Sequence, residues 1–253
     1  MAITIDFSGK VVMITGAAGG IGKGAAKYFA QAGATLVLTD MQDKVEQVAA
    51  DFVAQGITAI AIVADISNAQ ACQGVVDAAM EKFGRLDFAF NNAGIGGAAS
   101  TMDEMDMDAF NHVMNINLSS VAQCMKYQVA AMKKTGGGVI INNSSIAGLM
   151  PLDGQSFVYS TSKHAVIGLT KQAAINLAPD NIRVNAVCPG LILTDLTTGA
   201  KTEGADSWFM NKIPMGRSGT TDDVGRAVVT LCSDLNGYVT GVAMPVDGGF
   251  LLS

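Results

Sequence analysis

The sequence predicts an α/β fold: one doubly wound parallel sheet of about seven strands, with helices on both faces. Three observations lead there. Short apolar runs, of which Val11-Val12-Met13-Ile14 is the first, recur between longer helical patterns along all 253 residues. Strands buried on both faces read as continuous apolar runs of this kind. That first run opens into Thr15-Gly16-Ala17-Ala18-Gly19-Gly20-Ile21-Gly22 and then a helix, which is the setting of a dinucleotide-binding turn. The alternation continues with no linker and no break in composition, so residues 1–253 are expected to form a single domain.

Taken in order, the first strand (11–14) leads through the glycine-rich turn into a helix from Lys23 to Ala32, stopped by Gly33. Gly16 permits the tight turn, and Gly20 and Gly22 let backbone and helix N-terminus approach a pyrophosphate, whose charge the free N–H groups and helix dipole stabilise. Ala34 to Thr39 reads as a second strand with Asp40 at its end. Asp40 follows Gly22 at close to the spacing, about 20 residues, at which an acidic residue meets the adenosine ribose. A carboxylate there accepts from two ribose hydroxyls and repels a 2′-phosphate, and Met41, Gln42 and Asp43 offer no arginine to hold one. NAD is therefore expected over NADP. A helix (Asp43 to Gln55), a strand (Thr58 to Ala64), a helix capped by Ser67 or Asn68 and running to Phe83, and a strand (Leu86 to Phe90) follow. That strand ends in Asn91-Asn92-Ala93-Gly94-Ile95-Gly96-Gly97.

A long helix is expected from about Met105 to Lys134, with Asn111, Asn115 and Asn117 in its middle against helix propensity, so that something should satisfy them. Gly136-Gly137-Gly138 turns into a fifth strand, 139–142, with Asn143-Ser144-Ser145 at its carboxyl end, where open α/β sheets place ligands. Tyr159 opens a helix to about Ala178, Ile182 to Val187 is a sixth strand ending in Cys188-Pro189-Gly190, and the Thr-Thr-Asp-Asp stretch at 220–223 caps a last helix to Asp234. A final strand, about 242–246, precedes Asp247-Gly248-Gly249. Residues 191–214 break the regular pattern and are expected to form a mobile substrate lid.

Composition narrows the function. Hydrophobic residues make up 49%, charged residues only 15%, and the net charge is −6, which argues against binding a nucleic-acid backbone. No basic amphipathic segment, membrane-length apolar run or signal-peptide start is present, and a soluble cytoplasmic protein is expected. Cys72, Cys124, Cys188 and Cys232 show no paired spacing and read as small core residues, and two isolated histidines, His112 and His164, make a zinc site improbable.

The chemistry is expected at Tyr159 and Lys163. Residues four apart share a helix face, so phenol and ammonium point the same way. A tyrosine ordinarily titrates near 10, and a nearby positive charge lowers that value, giving a phenol that exchanges a proton near neutral pH. Carbonyl reduction and alcohol oxidation need such a group. Tyr and Lys fall four apart in many chains by chance, and the surrounding motifs make this pair informative.

Those motifs, in order, are Thr15-Gly16-x-x-x-Gly20-x-Gly22, Asp65, Asn91-Asn92-Ala93-Gly94, Asn117, Ser145, Tyr159-x-x-x-Lys163, and Pro189-Gly190 followed by Thr194. Over nearly its whole length the chain resembles the short-chain dehydrogenase/reductase family. The resemblance implies a catalytic tetrad: Tyr159 as acid/base, Ser145 on the substrate oxygen, Lys163 on the nicotinamide ribose and lowering the Tyr159 pKa, and Asn117 holding a water of a proton relay. Strand alternation puts only one of Ser144 and Ser145 on the cofactor side. The family register favours Ser145, and the family's Asn-Leu step favours Asn117 over Asn115. The resemblance further implies NAD contacts from Gly16, Gly20, Ile21, Gly22, Asp40 and Met41 around the diphosphate and adenosine, and from Asp65, Ile66, Asn92, Ala93 and Gly94 beside them. Pro189, Gly190, Ile192 and Thr194 join Tyr159 and Lys163 at the nicotinamide end. It also implies a homotetramer built through the two long helices and the last strand, with the apolar finish Phe250-Leu251-Leu252.

The expected activity is interconversion of a secondary alcohol and a ketone with NAD. The largely apolar pocket candidates Ile95, Gly96, Ala147, Leu149, Pro151, Gln155, Trp208 and Phe209 favour a cyclic, aryl or steroid-like substrate. A 3-oxoacyl-(acyl-carrier-protein) reductase is the main rival, with a polyol or sugar dehydrogenase behind it. Asp40 and the acidic chain argue against the first. No metal is expected.

Overall fold

The alternating apolar runs form one parallel sheet. The computed structural model describes residues 4–194 and 209–253. Among these, seven strands pair in the order β3-β2-β1-β4-β5-β6-β9: β1 (Val11–Thr15), β2 (Thr35–Asp40), β3 (Ala59–Val63), β4 (Phe88–Asn91), β5 (Gly138–Asn143), β6 (Ile182–Pro189) and β9 (Ala243–Val246). Two short strands, β7 (Ile192–Leu193) and β8 (Gly219–Thr220), pair separately. The expected doubly wound sheet is present. From β1 the chain steps outward to β3, then returns to the other side of β1 with β4, and the two halves part at their carboxyl ends. This is the switch point at which open α/β sheets bind ligands.

Helices α1 (Gly20–Gln31), α2 (Lys44–Ala54) and α7 (Thr221–Cys232) cover one face, where Phe29, Phe52 and Val228 bury against Ile14 and Leu38. Helices α3 (Ala69–Phe83), α5 (Ser120–Lys134) and α6 (Phe157–Leu177) cover the other, with Val75, Val121 and Ala174 against Met13 and Ile140. Local chemistry sets the ends. Asn68, not Ser67, caps α3 by accepting from Gln70 and Ala71, and Gly84, at φ 72°, stops it. Thr220 and Asp223 form a reciprocal capping box on α7. Among the described residues, no helix is long and apolar enough to cross a membrane.

The long helix expected over 105–134 is not continuous. It is α4 (Met107–Met114), one π-helical segment (Asn115–Ser119), then α5. The wide turn coincides with the asparagines that went against propensity, and π-turns inside helices are common at functional sites. The substrate lid expected over 191–214 falls largely on residues 195–208, which lie outside the described residues, and Trp208 is among them.

Candidate active site

The glycine-rich turn is held from β4. The Asn92 side-chain amide donates to the main-chain oxygens of Thr15 and Gly16 at 3.0 Å each, and the Thr15 hydroxyl accepts from the backbone of Asn92 and Ala93. A Cβ on Gly22 would strike the main-chain oxygen of Gly16, so the turn can pack against α1 only with glycine there. Helix α1 has no side-chain cap and no acidic residue in its first turn. Its leading N–H donors and its positive end are left for an anion, a donor set that fits a dinucleotide's diphosphate. Asp40 closes the turn from the other side: Oδ2 accepts from Ala18 N and Oδ1 from Gln42 N, both at 3.0 Å. A carboxylate has about four acceptor positions, so two remain for a ribose. Met41 is largely exposed beside it. Asp65 turns its carboxylate onto Ser67 N, Ile66 is buried below, and Ile21, Pro189, Gly190, Ile192 and Thr194 line the same carboxyl edge of the sheet.

Three consecutive residues at the end of β5 each bond to α6. Asn142 donates to the Thr170 hydroxyl at 3.0 Å, and the Asn143 main-chain oxygen accepts from the Lys163 ammonium at 2.8 Å. Ser144 donates to the main-chain oxygen of Lys163 at 2.8 Å, and the Ser145 hydroxyl, which accepts from Ala147 N at 3.1 Å, lies near enough to the Tyr159 phenol to favour its anion. The alternation of a strand thus separates the two serines, Ser144 onto the helix backbone and Ser145 onto the phenol. Gly94 permits the approach from β4: a Cβ there would lie 3.2 Å from Asn117 Oδ1 and 3.5 Å from Lys163 Nζ. Asn117 is buried, whereas Asn115 is exposed. Asn117 accepts from Ile95 N and donates to Ile95 O and to the Ser162 hydroxyl, so its side chain pins the turn after β4 to α6.

The electrostatics correct one expectation. Burial pushes Tyr159 above its ordinary value, opposed by the hydrogen bond with Ser145; it is not held below by Lys163. The reason is the state of the lysine. Lys163 is buried, its ammonium is spent on Asn143 O and stands 5.6 Å from the centre of the Tyr159 ring, and burial pushes its own pKa down to about 8. Its charge is itself disfavoured and reaches the phenol weakly.

Of the pocket candidates, Ala147 is buried, Ile95 is half-buried, and Gly96, Leu149, Pro151 and Gln155 are exposed. Phe209 stacks on Phe250 with ring centres 5.5 Å apart, which takes up one face of its ring in a small cluster with Ile146 and Ile213. The sequence reading gave no role to Asn143 or Ser162, which bond Lys163 and Asn117 directly. Asn143 could have been noticed, as a polar residue at the carboxyl end of a buried strand. The reading also passed over Lys44, whose ammonium comes within 4.0 Å of where a Gly19 Cβ would stand.

A family model described as Enoyl-(Acyl carrier protein) reductase matches residues 16–251. A cyclohexanol dehydrogenase from Acinetobacter sp. (strain SE19) is 39% identical over 245 residues, covering 96% of each chain. The chain belongs to the short-chain dehydrogenase/reductase family. A 3-oxoacyl-(acyl-carrier-protein) reductase from Thermotoga maritima is also 39% identical, over 96% of this chain and 98% of its own. The solved structure of a 7α-hydroxysteroid dehydrogenase, complexed with NADH and 7-oxo glycochenodeoxycholic acid, superposes with a TM-score of 0.93 at 33% identity, covering 98% of both chains. The protein is therefore an oxidoreductase of this family, and a nicotinamide cofactor goes with the family and its fold.

Proposed function

We propose that this oxidoreductase interconverts a secondary alcohol and a ketone with NAD, on a hydrophobic, ring-bearing substrate. The observation that carries the reading is the meeting of the Tyr159 phenol with Ser145, one helical turn from the buried Lys163. When bound, the nicotinamide supplies or accepts the hydride. The chain's own residues manage the proton and the position. Ser145 orients the substrate oxygen toward Tyr159 Oη, which gives a proton in reduction and takes one in oxidation. Lys163, anchored on Asn143 O, holds the ribose edge, and the α1 N-terminus holds the diphosphate. Asn117 fixes the Ile95 turn against α6, beside the reacting groups.

NAD is favoured by Asp40, whose carboxylate faces the adenosine ribose site from the end of β2 and would meet a 2′-phosphate with like charge. Ring substrates are supported by the apolar pocket candidates and by the name of the cyclohexanol dehydrogenase relative. A carrier-protein ketone reductase is the second reading, favoured by the equal identity of the Thermotoga relative. The net charge of −6 opposes it, because an acidic carrier needs a basic surface. The deciding experiment measures initial rates with cyclohexanol and NAD, with cyclohexanone and NADH, and with an acetoacetyl-carrier substrate and NADPH. Turnover confined to the last pair would replace the first reading with the second.

A further inference from the structure

Beneath the Asp65-Ile66 turn, two thiols meet. Cys72, on α3, and Cys124, on α5, are both fully buried between their helices and the sheet. The Cys124 thiol donates to the Cys72 sulfur at 3.1 Å, and the Cys72 thiol donates to the main-chain oxygen of Ile66 at 3.0 Å. The two residues are 52 apart in sequence, so no spacing motif reveals the pair. A disulfide bond is about 2.0 Å long, so closure asks the sulfurs to approach by only about 1 Å.

We propose that Cys72 and Cys124 form a modification site, a dithiol that a hydroperoxide closes to a disulfide, and that closure loosens the adenosine end of the cofactor site. Cys72 sits in the opening turns of α3, where the helix dipole favours a thiolate, so it reacts first. Its sulfur attacks the peroxide, the O–O bond breaks, and a sulfenic acid forms with release of water. The Cys124 thiol then displaces the sulfenic oxygen as a second water and loses its proton to it. Two thiols and one hydrogen peroxide become one disulfide and two waters, the sulfurs giving the two electrons. Both S–H donors disappear, and the carbonyl of Ile66 loses its side-chain partner beside Asp65. This second half rests on the proposed function, which places the adenosine at Asp65 and Ile66.

The test treats reduced protein with excess hydrogen peroxide, then unfolds, alkylates and digests it. The expected result is a Cys72–Cys124 linked peptide and a chain lighter by two hydrogens, with Cys188 and Cys232 alkylated. Dithiothreitol should reverse the link, and Cys72→Ser should abolish it. Calorimetric titration should show NAD binding several-fold weaker in the oxidised form and restored on reduction. Recovery of both Cys72 and Cys124 alkylated overturns the site, and a linked protein with unchanged NAD affinity overturns its effect. If the reduced protein binds no NAD, the proposed function falls and takes the second half with it, while the peptide map still decides the first.

Discussion

Lys163 gives its ammonium to the main-chain oxygen of Asn143 at 2.8 Å and not to Tyr159, although the two side chains leave the same face of α6. The strand that leads into Ser145 therefore also holds the lysine. With Tyr159 pushed up by burial and Lys163 pushed down to about 8, the proton that leaves first as pH rises belongs to the lysine. Groups this close titrate as a pair, and kinetic limbs will report the pair.

Tyr159→Phe keeps the ring and removes the ionisable oxygen beside Ser145. Turnover should fall by about 10²–10⁴-fold, the usual cost of losing a general acid/base, with NAD affinity nearly unchanged. Near-normal turnover in this variant would remove Tyr159 from the chemistry.

Lys163 should mark stability as well as activity. Its folded value of about 8 lies below its ordinary 10.5, so between these values the unfolded chain binds the extra proton and stability rises with pH. The charge of buried Lys163 costs about 3 kcal/mol below pH 8, and that cost is lifted as pH climbs through the window. Lys163→Met removes the group. Its stability advantage over the wild type should be largest near pH 7 and should shrink by pH 10, as read from urea unfolding at a series of pH values. Parallel curves for the two proteins would show that Lys163 is not a charged, desolvated group.

The doubly wound parallel sheet and its glycine-rich turn were legible in the sequence because they rest on local signals: continuous apolar runs and glycines at fixed offsets. That Tyr159 and Lys163 share a helix face was legible for the same reason, since periodicity decides which face a residue takes, whereas alternation alone said only that Ser144 and Ser145 part, and the family register chose between them. What the sequence did not carry depends on meetings across the fold. The Asn143–Lys163 bond and the Cys72–Cys124 contact join segments far apart in the chain, and the π-turn at Asn115–Ser119 puts Asn117 where it reaches Ile95 and Ser162. The direction of the Tyr159 shift was missed because spacing shows that a charge is near and says nothing of burial, which here outweighs it.

Gly22→Ala should be costly. Its Cβ would strike the main-chain oxygen of Gly16, so the turn and α1 must separate. Thermal unfolding should shift down, and NAD affinity should fall more than the Tyr159→Phe variant allows. An unshifted melting temperature would show that the turn relaxes freely.

Cofactor choice is expected to follow Asp40. A hydrogen bond to a charged group is worth about 1.5–3 kcal/mol, so losing even one ribose contact costs about tenfold or more in NAD affinity. Asp40→Ser with Met41→Arg should narrow or reverse the preference between NAD and NADP in kcat/KM. Lys44→Ala, which removes a cation near Gly19, should lower any residual use of NADP and leave NAD untouched. Equal use of both cofactors by the wild type would show that Asp40 does not discriminate.

Substrate choice follows from what the pocket can pair. The candidate lining is Ile95, half-buried, Ala147, buried, and Leu149, exposed, with Gln155 exposed beside them in the candidate set and Ser145 proposed for the reacting oxygen. Phe209 has one ring face packed on Phe250. A cyclic alcohol, an aryl carbinol or a hydroxysteroid buries apolar surface against such a lining and asks for one polar partner. A sugar buries several hydroxyls, and each left unpaired costs about 1–3 kcal/mol, or roughly 5- to 150-fold in the specificity constant. A hydroxy acid adds a carboxylate with no cation among these residues. Specificity constants with NAD should therefore be highest for cyclohexanol, 1-phenylethanol or a hydroxysteroid and at least tenfold lower for glucose and 3-hydroxybutyrate. Leu149→Ser should reduce the constants of the first group while leaving NAD affinity unchanged. A preference for glucose or 3-hydroxybutyrate would sink the apolar pocket, and it would direct attention to polar groups in 195–208, where Trp208 lies.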